Sequence, residues 1–131
     1  MHQLIADDPN NAQEANSEAI IASTIEWWDM AWSTRLNDPK RGVKIVIQQR
    51  LSEQDITGHI LSKDVGDWTH LCLPMRFEAS RRTYNVLVPA EFNDGEAVIW
   101  TDPRDTEGQL LWPERFGEQE VNLLEKTLGP Y

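Results

Sequence analysis

Apolar positions along this chain switch between the strand period of two and the helix period of about 3.6, which divides it into short elements. Leu4-Ile5-Ala6 is a brief apolar run closed by Asp7-Asp8-Pro9, where proline ends a strand. From Asn11 or Ser17 to Leu36 the pattern turns helical: Ile21, Ile25, Trp28, Trp32 and Leu36 recur at spacings of four, three, four and four. Ile20, Trp27 and Ala31 widen that stripe, while Glu18, Glu26, Asp29 and Ser33 lie largely off it. Asn37-Asp38-Pro39-Lys40 and Gly42 terminate the helix. Val43–Ile47 then carries three consecutive β-branched residues, Ile45-Val46-Ile47, and predicts an interior strand of a parallel sheet.

Ser52 predicts a helix N-cap, with Asp55 three residues later, for a helix running through Leu61. Gly58 weakens that helix by about 1 kcal/mol relative to alanine. Thr69–Leu73 predicts another short strand, closed by Pro74. Tyr84–Val88 and Ala97–Trp100 flank Asn93-Asp94-Gly95 and predict β-structure around a glycine-containing turn. Pro113 predicts the start of a last helix through Leu128, ended by Gly129-Pro130. Strand, long helix, strand, helix, strand is the alternation of an α/β layer with parallel strands and right-handed crossovers, followed here by a small β-rich appendage and a helix.

Composition narrows the picture. The 131 residues hold 22 acidic and 12 basic side chains, a formal charge of −10, which disfavours phosphate and argues against this piece alone being a general nucleic-acid binder. Cys72 is the only cysteine, so no internal disulfide forms and a reducing compartment is expected. No apolar run approaches the roughly 20 residues of a membrane span and no signal-peptide pattern opens the chain, so the sequence reads as soluble, intracellular and free of membrane partners.

Candidate chemistry follows from strand order. If Leu4–Ala6 and Val43–Ile47 are parallel neighbours joined by the long helix, Asp7-Asp8 faces Gln48-Gln49-Arg50 across one sheet edge, the edge where α/β proteins place ligands. Locally, Asp7-Asp8-Pro9 is also a common kind of polar turn, and Gln48-Gln49-Arg50 a strand end that meets water. His70 and Cys72 alternate along a predicted strand, but without a second ligand cluster they make a poor zinc site. His59 reads as a packed or surface histidine, Arg35 as an ordinary salt-bridging arginine rather than a trans-acting finger, and Trp28 and Trp32 as core.

Taken together, the strings resemble the large subunit of tailed-phage terminases, the DNA-packaging motor. The matching segments are Leu4-Ile5-Ala6-Asp7-Asp8-Pro9, Ile25-Glu26-Trp27-Trp28, Ser33-Thr34-Arg35-Leu36-Asn37-Asp38 and Arg50-Leu51-Ser52-Glu53-Gln54-Asp55-Ile56-Thr57-Gly58. Trp68-Thr69-His70-Leu71-Cys72-Leu73-Pro74, Asp102-Pro103-Arg104, Gly108–Phe116 and Leu128-Gly129-Pro130-Tyr131 follow in family order. Ser52 stands where the family usually has histidine, and Asp8 where many members have glutamate.

The resemblance implies a partial P-loop (ASCE-type) nucleotidase sheet with parallel strands and flanking helices, then a small β-rich subdomain and a C-terminal helix. Residues 1–76 would be the later part of the ATPase domain and 77–131 a connecting subdomain. It implies Asp7 as the Mg²⁺ carboxylate and Asp8 as the catalytic carboxylate of a Walker B-like element. Gln48, Gln49 and Arg50 would form the coupling element that senses the γ-phosphate. No G-x-x-x-x-G-K-[ST] loop occurs in the 131 residues, so the chain reads as a middle slice, inactive alone and not expected to bind tightly the Mg²⁺ and ATP that the intact protein uses. The intact protein would work as a homo-oligomeric ring in the host cytoplasm with portal protein, terminase small subunit and double-stranded DNA. An acidic interaction protein or DNA-mimic inhibitor is the alternative that the charge suggests, and a non-catalytic docking module a third.

Overall fold

The computed structural model describes residues 3–14, 17–64 and 67–129. The chain forms two compact units, Met1–Val65 and Gly66–Tyr131. It is mixed α/β, and the described residues form one parallel and one antiparallel two-stranded sheet.

In the first unit β1 (Gln3–Asp7) and β2 (Val43–Ile47) pair in parallel, with Leu4 opposite Lys44, Ala6 opposite Val46 and Asp7 opposite Ile47. Between them comes α1 (Glu18–Trp27), which continues as a wide π-helical turn over Trp28–Trp32. The backbone N–H of Ser33 donates to the Trp28 carbonyl at 3.0 Å, and the Trp28 and Trp32 rings stack with centroids 4.2 Å apart. Both rings are buried with Ile21, as the helical stripe predicts. The helix stops at Trp32, short of the expected Leu36. Ser33 and Thr34 hydroxyls donate to the Asp29 and Ala31 carbonyls there, competing with the backbone ladder.

Two further expectations are corrected in this unit. Val43–Ile47 is not buried on both faces: Val43, Ile45 and Ile47 are 48, 37 and 57% exposed, and Ile5 on β1 57%. These residues share one face of the ribbon, since side chains alternate along strands and register partners lie on the same side. Only the opposite face, with Ala6 and Val46, turns inward. The second correction is the start of α2 (Ile56–Lys63), whose N-cap is Asp55, not Ser52. Ile56 and Ile60 are buried on its inner side.

In the second unit β3 (Tyr84–Val88) and β4 (Val98–Thr101) pair antiparallel, where β-structure around the Asn93-Asp94-Gly95 turn is predicted. Asp94 and Gly95 take φ of 49° and 87° there. The expected strand at Thr69–Leu73 does not form. That segment is irregular and is held through its backbone: Cys72 exchanges hydrogen bonds with the Thr83 hydroxyl through both its N–H and its carbonyl. The core is Phe77, lying under the guanidinium groups of Arg82 and Arg104 at 5.8 and 5.5 Å from its ring centroid, with Val121 also buried. The last helix, α3, spans Glu118–Leu128, starting later than Pro113. Pro113 sits instead in a turn in which Arg115 and Phe116 N–H groups donate to the Trp112 carbonyl, and Gly117 then opens α3. Gly129 ends it at φ 83°, as glycine allows.

Candidate functional site

The C-terminal ends of β1 and β2 lie side by side, which is the juxtaposition that parallel pairing requires. Asp8 leaves β1 in the left-handed region, φ 45°, a conformation aspartate tolerates better than most residues. Its N–H still donates to the Ile47 carbonyl at 2.8 Å, extending the ladder by one bond. Its carboxylate Oδ1 accepts the backbone N–H of Gln49 at 3.1 Å. Asp8 and Gln49 are therefore brought together. Asp7, exposed and in register with Ile47, sits at the same rim on the open face of the ribbon.

The other two predicted residues turn away from this pair, towards α2. Gln48 donates its amide to Asn10 Oδ1 at 2.8 Å and accepts from the Thr57 hydroxyl at 2.7 Å and the Thr57 N–H at 3.2 Å. Arg50 donates from Nε to Asp55 Oδ2 at 2.9 Å and from a terminal nitrogen to the Ser52 carbonyl at 3.2 Å. Asp55 is 1% exposed. Its Oδ2 also accepts the Leu51 and Ser52 N–H groups at 3.2 and 3.5 Å, while Oδ1 caps α2 through Gly58 N–H at 2.9 Å. The Arg50…Asp55…Gly58 string thus has a physical meaning: a guanidinium fixes a carboxylate that folds the loop and caps the helix.

Asn10 is the residue that sequence reasoning missed. It is buried, and its one side-chain oxygen accepts both Gln48 Nε2 and the Ile56 N–H, the latter at 3.0 Å. A polar residue straight after Pro9 was the only signal in the sequence.

Elsewhere, His59 Nε2 meets the Asp29 carboxylate at 2.9 Å and Lys63 reaches the same group at 3.3 Å, tying α2 to the π-helical turn. The hydrogen bond from His59, helped by Lys63, holds the Asp29 carboxyl below the ordinary carboxylate range. His70 and Cys72 do not gather ligands: no group of three or more His, Cys, Asp or Glu side chains among the described residues is arranged as a metal cluster. Mg²⁺ asks less, binding through one or two carboxylates while keeping several waters, and the exposed carboxylates of the consecutive residues Asp7 and Asp8 are of that chemical kind.

Comparison of the chain with protein-family models, with curated proteins and with solved structures finds no match. No helix among the described residues is long and apolar enough to cross a membrane.

Proposed function

We propose that the first unit carries the acidic rim of a nucleotide site in a terminase-type packaging ATPase. The observation that carries the reading is the Gln49 N–H bond to Asp8 Oδ1 at 3.1 Å across two parallel strand ends, because it joins the two sequence strings that the chemistry needs on one rim. In this reading β1 and β2 are neighbouring strands of a P-loop sheet of the ASCE type, and residues 77–131 belong to a connecting subdomain. Asp7 binds Mg²⁺ and Asp8 orients the attacking water. No phosphate-cradling G-x-x-x-x-G-K-[ST] loop occurs in the 131 residues, so this unit supplies the carboxylates of the site and not its nucleotide-binding loop. The whole protein then works as a ring in the host cytoplasm with portal protein, small subunit and double-stranded DNA. Gln48 and Arg50 support the rim through α2, and Gln49 carries the polar contact to it.

The decoy alternative has less support. A DNA mimic displays its acids to a basic partner, whereas Asp29, Asp55 and Asp102 are engaged with His59 and Lys63, with Arg50 and with Arg104.

Paramagnetic broadening tests the proposal. Mn²⁺ with ATP, titrated into the ¹⁵N-labelled chain, is expected to broaden the amides of Asp7, Asp8 and Gln49 first, and Asp7→Asn with Asp8→Asn to abolish this. Broadening that follows exposed acids generally, with Asp105 and Glu107 affected equally, would sink the nucleotide reading.

A further inference from the structure

We propose that Asn10 is the positioning residue of the acidic rim, holding the Asp8 loop, the end of β2 and the start of α2 as one rigid corner. The inference rests on the reading above for the purpose of the rim, while the positioning itself is a matter of geometry. Three chain segments, the loop after β1, the end of β2 and the start of α2, converge on one buried oxygen. Asn10 Oδ1 accepts Gln48 Nε2 at 2.8 Å and Ile56 N–H at 3.0 Å. Gln48 passes the connection on, its Oε1 accepting the Thr57 hydroxyl at 2.7 Å.

Gln49, the next residue, donates its N–H to Asp8, and Asp8 lies two residues before Asn10. The bonds therefore close a ring: Asp8 to Gln49 by hydrogen bond, Gln49 to Gln48 through the chain, Gln48 to Asn10 by hydrogen bond, and Asn10 back to Asp8 through the chain. A ring of this kind fixes a left-handed residue that would otherwise relax, and a fixed carboxylate binds a cation without first losing conformational freedom.

Asn10 touches neither the Asp8 carboxylate nor the Gln49 amide in any hydrogen bond, so an effect at that distance separates positioning from local capping. Amide hydrogen exchange on the full 131-residue chain measures it, with Gln49 read relative to Ile60 inside α2 to remove any change in global opening. Asn10→Ala is expected to speed Gln49 exchange about tenfold in that ratio, the scale of one lost buried hydrogen bond. Asn10→Asp, which keeps an oxygen acceptor for Gln48 and Ile56, is expected to restore it. Acceleration at Ile56 alone, with the Gln49 ratio unchanged, would show Asn10 to be only a helix cap and would overturn the proposal.

Should Asn10→Ala not fold, Asn10→Ser, whose shorter side chain cannot reach Gln48 and Ile56 together, loosens the same two bonds. The Gln49 ratio is then expected to rise several-fold, and no change would equally overturn the positioning role. Manganese broadening in the same wild-type sample keeps the two readings apart. Its absence removes the nucleotide reading and leaves the exchange result standing, and its presence with an unmoved Gln49 ratio removes only the role of Asn10.

Discussion

Gly58 and Glu53 approach so closely that a Cβ at position 58 would lie 1.9 Å from the Glu53 carbonyl oxygen. That oxygen is backbone, held in the loop that Asp55 organises, and cannot swing aside. In an unconstrained helix Gly→Ala gains about 1 kcal/mol. Here Gly58→Ala is expected to cost about 2 kcal/mol or more through overpacking. A urea titration followed by circular dichroism reads the sign directly, and a stabilised variant would show the loop to be mobile.

Asp55 does more than cap α2. An ordinary N-cap accepts asparagine as well as aspartate. Asp55, however, turns its second oxygen to three donors, Arg50 Nε and the Leu51 and Ser52 N–H groups, where an amide NH₂ would face donors only. Asp55→Asn is therefore expected to lose nearly as much as Asp55→Ala, about 2–4 kcal/mol, with the half-exposed Arg50 limiting the penalty by reaching water. Parallel chemical denaturation of the two variants is the check. Full retention of stability by asparagine would argue that only the Gly58 bond matters.

Acid should loosen both units. In the second unit Arg104 hydrogen-bonds the Asp102 carboxylate through its side chain and its own N–H, and this holds the carboxyl below the ordinary range despite burial. Asp29 is lowered in the first unit, chiefly by His59. A folded-state value below the unfolded one contributes stability that is fully present above the unfolded carboxylate value and is lost as pH falls through the folded one. Melting temperature is expected to drop as pH goes below about 4. Asp102→Asn should flatten that dependence for the second unit; an unchanged slope would deny the pair its role.

The open face of the β1–β2 ribbon predicts dye binding. Ile5 and Ile47 are each 57% exposed, so replacing both with threonine keeps β-branched strand formers and removes apolar surface. Stability is expected to change by only about 0.5 kcal/mol per site, as at other surface positions. Fluorescence of 8-anilinonaphthalene sulfonate should fall clearly. Undiminished fluorescence would place the dye elsewhere.

Hydrophobic period carried much of the fold. The parallel pairing of β1 with β2, the β3–β4 hairpin, the buried stripe of Ile21, Trp28 and Trp32, and the glycine stop at Gly129 were all legible from spacing and turn residues. The start of α2 was not, because Ser52 and Asp55 are both good caps and only the Arg50 pairing, a matter of the folded loop, selects the later one. Residues 69–73 have strand composition but are irregular, since composition alone does not build a ladder. Pro113 announced a helix that Gly117 delays. At the site, the meeting of Asp8 with Gln49 followed from topology alone. The inward turn of Gln48 depended on Asn10, whose partners lie 38 and 46 residues away and leave no local trace, whereas Arg50 folds onto Asp55 only five residues on.

The first turn of α2 has a consequence for any anion arriving at the rim. Ile56, Thr57 and Gly58 each donate their N–H inward, to Asn10, Gln48 and Asp55 in turn. These are the donors by which a helix start commonly greets a phosphate, and here they are already spoken for, one of them by a carboxylate. Under the nucleotide reading proposed above, a triphosphate at Asp7 and Asp8 would meet no free N–H among these three.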